Sequence, residues 1–325
     1  MFNIFYRVIK NKLNNRLVRF GLVTLMAITA PNAFSQQIPR FNPDTIKSIV
    51  IDSAYVNIRA HQLNVQDFIN AMMRDTGFYK AFQNMKLYSF DAENRIFSYD
   101  KNNKVNGKVY RKIHHSNAGG PHKMTLLEKQ ESGDLYKKNG KYQLYTMEMF
   151  DYIFMNDYNS DFISKSSGGP VTGKNEGYKD KLKTLIFTPG RRVKGIPFVS
   201  GKTEIFGPDL RQFYDYQFAR GTYLDTIPVY RFKITQKKSS ADDDVMEKEI
   251  TTIFDTRTFQ ILGRYMDLKF HNFLVDFDVQ MNIECNNFGG QLLPVKITYQ
   301  GNWDIPFHKQ ERASFLIVHK NYKRE

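Results

Sequence analysis

A single cysteine, Cys285, in 325 residues excludes an intrachain disulfide and any thiolate-pair metal site. It lies far from the N-terminus, so no lipid-anchoring thiol follows a processing site. Long hydrophobic runs are also missing. The longest, Phe20 to Ala30, falls short of the ~20 residues a spanning helix needs. The sequence has no Gly-x-Ser-x-Gly elbow, no His-Glu-x-x-His helix and no repeat of fixed period, which removes the main signatures of serine hydrolases, zinc proteases and solenoids. Acidic residues are the minority, 33 against 47 Lys and Arg. No helix-turn-helix, zinc-finger or RNP pattern accompanies that excess, so nucleic acid is not an expected partner.

Aromatic residues are plentiful, with Phe 27 and Tyr 19 against Trp 1, a composition that suits strands and a substantial core. The first 35 residues read as a secretion signal. Arg7, Lys10, Lys12, Arg16 and Arg19 form the basic region, Phe20–Ala30 the apolar region, and Ala33-Phe34-Ser35 a small-x-small cleavage site. Cleavage there lowers the net charge from +14 to +9, which favours anionic surfaces. The expected organisation is a signal peptide over 1–35, a helix-plus-strand region over 36–160 with a leader at Gln36–Pro43, a linker over 161–190, and a β-meander over 191–325. The last can also form one domain with 36–160.

The most informative stretch is Val275 to Cys285. Its odd positions are apolar and its even positions polar, the period-two pattern of a strand with one dry and one wet face. Asn286-Asn287-Phe288-Gly289-Gly290 supplies a turn, and Leu293, Val295, Ile297, Tyr299 and Trp303 form the dry face of the returning strand. Further strands are expected at Tyr214–Phe218, Val229–Ile234, Glu249–Phe254, Ile261–Phe270 and Ala313–Tyr322, and at Lys86–Phe90, Ile96–Tyr99, Lys108–His114 and Lys123–Glu128. Asn139-Gly140 predicts a tight hairpin. Val65, Phe68, Ile69 and Met72 fall at helical spacing behind Asn64 as N-cap, Phe78–Met85 follows as a second helix, and Met147, Phe150, Ile153 and Phe154 suggest a third. The fold class is therefore mainly β (α+β): a long, curved antiparallel meander or half-barrel with short N-terminal helices.

Catalytic and metal patterns are weak. Gly168–Lys174 has phosphate-loop spacing, but Asn175 stands where Ser or Thr should reach Mg²⁺, and no strand leads in. His114 and His115 point to opposite faces of a strand, so with His122 they do not form a chelate. Asp242, Asp243 and Asp244 lack the alternation of a calcium loop. Asp276, Asp278 and Glu284 share the wet face and supply a carboxylate-hydrolase alternative, although alternation and pairing with Lys296 account for them equally well. No cofactor is implied.

Pro197-Phe-Val-Ser-Gly201, Phe213-Tyr-Asp-Tyr-Gln217, Gly221-Thr222, Val229–Ile234 and Ile253–Ile261 together resemble periplasmic β modules of an uncharacterised group of Bacteroidetes outer-membrane proteins. More distantly, the meander with its short helices resembles the half-barrel of LolA/LolB lipoprotein carriers. That resemblance implies a non-enzymatic, exported protein, periplasmic or attached to the outer membrane. It would handle an acyl chain, lipid or lipoprotein, or meet an outer-membrane protein partner. The dry-face residues Phe277, Val279, Met281, Ile297, Tyr299 and Trp303 are the candidate ligand surface. If the helices at 65–85 and 147–154 cover that face completely, the same residues are core, and a structural or assembly scaffold of the outer membrane becomes the alternative.

Overall fold

The computed structural model describes residues 63–117, 123–133, 135–150, 154, 184–193, 200–241, 245–271, 276–304 and 309–324. The secretion signal and leader, the Ser164–Asp180 loop with the phosphate-loop-like stretch, His122, Ile153, the Asp242–Asp244 run and Val275 lie outside these residues. No helix among the described residues is long and apolar enough to cross a membrane.

Ten strands among the described residues form one antiparallel sheet: β1 (Tyr88–Tyr99), β2 (Val105–Ser116), β3 (Lys123–Gly133), β4 (Tyr214–Tyr223), β5 (Ile227–Gln236), β6 (Glu247–Asp255), β7 (Ile261–His271), β8 (Asp276–Phe288), β9 (Gln291–Asp304) and β10 (Glu311–Arg324). Their spatial order is β3-β2-β1-β10-β9-β8-β7-β6-β5-β4. Each neighbour in the run β4 to β10 is also the next in sequence, so the seven C-terminal strands are a meander. β1 joins it by pairing with β10. The sheet is open, with β3 and β4 as its edges. All eleven β3 residues are exposed, and Lys123, Glu128, Lys129 and Glu131 along it discourage pairing with a stray strand.

Two expected strands, Lys86–Phe90 and Ile96–Tyr99, merge into β1. Ala92 and Asn94 between them continue the inward face, and the polar Asn94 hides the alternation although it is 1% exposed. The Asn139-Gly140 turn forms, with Gly140 at φ 78° and its N–H on the Lys137 carbonyl at 2.9 Å. Its strands shrink to the single bridge Tyr136–Tyr142. Beyond it the chain turns into α3 (Tyr145–Phe150), because the Glu311 carboxylate on β10 accepts the backbone N–H groups of Tyr145 (2.6 Å) and Thr146 (2.8 Å) and the Thr146 hydroxyl (2.8 Å). A carboxylate at a helix N-terminus satisfies orphan donors and the dipole together.

Two earlier helices follow the expected pattern. In α1 (Val65–Arg74), Asn64 and Asp67 form a reciprocal capping box, and Phe68, Ile69 and Met72 face inward. The first helix breaks before Gly77, and Gly77 begins α2 (Gly77–Asn84), because the Asp75 carboxylate accepts the Gly77 and Phe78 N–H groups, each at 3.1 Å.

Both helices lie on the dry face. Phe68 meets Phe218, Tyr230, Phe232 and Phe254 from β4, β5 and β6, with ring centroids 4.7 to 5.8 Å apart. Phe78, Tyr79 and Phe82 of α2 meet Phe187, in the helical turn at 184–187. A sheet with one apolar face must cover it, and here short helices do so.

The wet face is not uniformly wet. β8 alternates cleanly from Asp276 to Met281, then every residue from Met281 to Cys285 is buried. Tyr223, at the end of β4, lies over Gly263 on that side. Its hydroxyl is 2.8 Å from the Cys285 carbonyl and 3.2 Å from that of Leu262, and it accepts the Cys285 N–H at 3.1 Å. The far edge of the rolled sheet thus returns to its centre and buries both faces there.

Candidate functional site

Strand register gathers the six dry-face residues. Phe277 faces Trp303, Met281 faces Tyr299, Val279 faces Gly301, and Ile297 faces Ile283 across the β8–β9 pair. Phe277 and Trp303 stack at 4.8 Å, and Trp303 Nε1 donates to the Tyr299 hydroxyl at 2.6 Å. Gly301 permits this arrangement. A Cβ there would fall 1.9 Å from the Tyr299 hydroxyl, because the ring lies along its own strand over residue 301. Burial pushes the Tyr299 pKa up, so the hydroxyl keeps its proton and can donate onward.

The six come together, and five of them are closed to solvent. Phe277, Val279, Met281, Ile297 and Tyr299 are each at most 5% exposed, and Trp303 is half-buried. The face is a covered apolar layer rather than an open cleft.

The wet-face carboxylates are engaged in pairs. Asp276 meets His271 Nδ1 at 2.9 Å, and Glu284 accepts from Asn282 at 2.9 Å and from Lys296 Nζ at 3.4 Å. The Glu284–Lys296 pair is the cross-strand contact the alternation implies. Asp278 lies opposite Lys269 and Asn302 in the strand register. His114 and His115 take opposite faces. His114 Nδ1 meets Asp91 at 2.8 Å on the wet side, and His115 stacks on Phe90 at 4.5 Å on the dry side. Among the described residues, no group of three or more His, Cys, Asp or Glu side chains could hold a metal ion.

Sequence reasoning missed the polar groups set into the dry face. Arg264 is 0% exposed, Glu247 2%, His319 5% and Glu311 7%. Burial pushes the Glu247 carboxyl up to about 8, with the Tyr214 hydroxyl at 3.4 Å as its side-chain partner. Burial pulls His319 down to about 4, with Nδ1 3.2 Å from the Pro294 carbonyl. Arg264 Nη1 donates to the Phe187 and Ile186 carbonyls at 2.9 and 3.1 Å, and its guanidinium lies 4.8 Å from the centre of the Phe78 ring. For Arg264 and Glu311 the signal was present. Arg264 keeps the two-residue phase of Met266, Leu268 and Phe270, and Glu311 that of Ala313, Phe315 and Ile317.

No protein-family model and no curated protein matches the chain. Three solved structures overlap it. A LolA superfamily protein from Nitrosomonas europaea has a TM-score of 0.24 and 9% identity, covering 81% of this chain and 94% of its own. A DUF1329 family protein from Desulfovibrio piger has a TM-score of 0.26 and 11% identity, covering 80% and 93%. A domain described as an outer membrane lipoprotein-sorting protein from Vibrio parahaemolyticus has a TM-score of 0.26 and 6% identity, covering 80% and 91%. At these scores the overlaps carry no argument about function.

Proposed function

We propose that the chain is a non-catalytic, exported binding protein of the cell envelope that takes an acyl chain, of a lipid or a lipoprotein, between the dry face and its cover. One observation carries this reading. The dry face of an open sheet is covered by short separate pieces, α1, α2, α3 and the turn at 184–187, that contact it largely through aromatic and aliphatic side chains. Such a cover can part locally without breaking a strand ladder, and an acyl chain that replaces it recovers about 25 cal/mol per Å² of apolar burial. The basic excess aids approach to anionic head groups and weakens with salt.

The test is native mass spectrometry with lipid extraction of the purified mature protein, followed by titration with a fluorescent fatty-acid probe. Co-purifying lipid and saturable probe binding are expected. A folded protein that carries none and binds none removes the carrier reading. A scaffold then takes its place, favoured by the fully exposed β3 edge with Met124, Leu126 and Leu127 between 44% and 54% exposed. Recovery of an intact N-terminus from the inner membrane would separately refute export with cleavage after Ser35.

A further inference from the structure

Arg264 sits where a charge is expensive, fully buried on the dry face of β7 beneath α2. Burial lowers its pKa to about 10, so it is still a cation at neutral pH. It forms an ion pair with no carboxylate among the described residues. Asp75 is the acid whose charge it feels, but both Asp75 oxygens are committed to the N-terminus of α2.

The two edges of the guanidinium are used differently. Nη1 is fixed by the carbonyls of Ile186 and Phe187. Nε has only the Thr252 hydroxyl at a long 3.4 Å, and the buried Nη2 has no protein partner. The Nε–Nη2 edge is the parallel pair of N–H groups that binds a planar carboxylate in bidentate fashion. Thr252 Oγ1, which accepts from Nε, donates to the Met72 sulfur at 3.7 Å, so a ligand oxygen need displace only the one long Nε contact. Met266, Ile283 and Phe78 supply apolar walls. Two parallel N–H groups match the two oxygens of a carboxylate. A phosphate, with three oxygens and up to two charges, needs more donors.

We propose that Arg264 holds the carboxylate of a single-chain fatty acid whose tail lies between the dry face and its helical cover. This rests on the acyl-binding reading and narrows it, because a chain bound as an ester or amide of a lipoprotein presents no carboxylate to Arg264. The ligand neutralises the buried cation and takes the half of its fork that the protein meets with one long contact.

The experiment compares a fatty acid with the fatty alcohol of the same length, each displacing a fluorescent acyl probe from the full mature protein. The acid is expected to bind ~10–100-fold tighter, the range of a charge-assisted hydrogen bond to a buried group. Arg264→Met should lose that preference and bind acid and alcohol alike, with folding checked by circular dichroism because the Ile186 and Phe187 carbonyls lose their donor. Equal affinity of the native protein for acid and alcohol overturns the Arg264 assignment and leaves acyl binding intact, and this comparison needs no variant to fold. Failure to bind either compound overturns acyl binding itself. Retention of the acid preference in folded Arg264→Met would place the carboxylate elsewhere.

Discussion

Tyr223→Phe removes one oxygen and no ring, so it isolates the bond between the edge of the sheet and its centre. The hydroxyl donates to one carbonyl, that of Cys285 at 2.8 Å being nearer than Leu262 at 3.2 Å, and accepts the Cys285 N–H at 3.1 Å. Burial raises its pKa, so it donates at every accessible pH. Cys285 lies at the register shift between β8 and β9, where the ladder offers its N–H no regular replacement. The variant therefore loses a donated and an accepted bond and leaves a buried N–H unpaired, at a cost of ~2–4 kcal/mol. Tyr216→Phe is the control. Its half-buried hydroxyl makes one bond, to the Ile205 carbonyl at 2.7 Å, worth ~1 kcal/mol. Urea unfolding followed by circular dichroism should move the Tyr223→Phe midpoint well below that of the control, with the slope unchanged. If the two variants differ by less than ~0.5 kcal/mol, Tyr223 does not tie β4 to β7 and β8, and the double burial around Cys285 needs another cause.

Phe68→Ala should cost ~3–5 kcal/mol in the same assay, because a fully buried ring in contact with rings from three strands leaves a cavity. Glu311→Ala should release α3, seen as faster amide hydrogen exchange at residues 145–150 with the β10 ladder still protected. For His319 the folded pKa is depressed to about 4, so between about 6.5 and 4 the unfolded chain binds a proton the folded one refuses, and stability falls as pH drops through that window. Glu247 acts in the opposite sense. Its folded pKa is raised to about 8, stability falls as pH rises from about 4.5 to 8, and Glu247→Gln should flatten that limb in pH-dependent thermal unfolding.

The fold was legible wherever one face of a strand is apolar and the other polar. Val279 and Met281 against Gln280, or Ile297 and Tyr299 against Lys296 and Thr298, fix both strand and register, because a slip of one residue would turn every apolar side chain outward. The pattern failed where a neighbour far along the chain supplies the missing term. Asn94 interrupts the apolar phase of β1, and nothing local marks a helix start at Tyr145 until Glu311, 165 residues beyond Thr146, is brought to the N–H groups of Tyr145 and Thr146. Asn282 and Glu284 read as wet and become buried beside the centre of the sheet that Tyr223 covers. Glu247 was hidden differently. The register shift between Glu247 and Glu249 breaks the two-residue phase, so counting back from Ile250 and Thr252 places Glu247 on the wrong face.

The candidate site was half legible for a related reason. Apolar residues announce a dry face by their spacing, and all six of Phe277, Val279, Met281, Ile297, Tyr299 and Trp303 fall on it. Spacing says nothing of what covers the face, because a cover of helices and turns comes from other stretches of chain. A charged residue in apolar phase carries the complementary information. Arg264, in step with Met266, Leu268 and Phe270, must enter the dry layer if the strand is regular, and a guanidinium there must find acceptors. Two carbonyls from 186 and 187 meet Nη1, while on the other edge Nε has one long contact to Thr252 and Nη2 has no protein partner. An arginine that served only those two carbonyls would have no use for Nη2 and would still bear the cost of burying its charge. Its retention on the dry face is the physical reason to look for an acidic ligand there rather than on the carboxylate-rich wet face, where Asp276 and Glu284 already have basic partners.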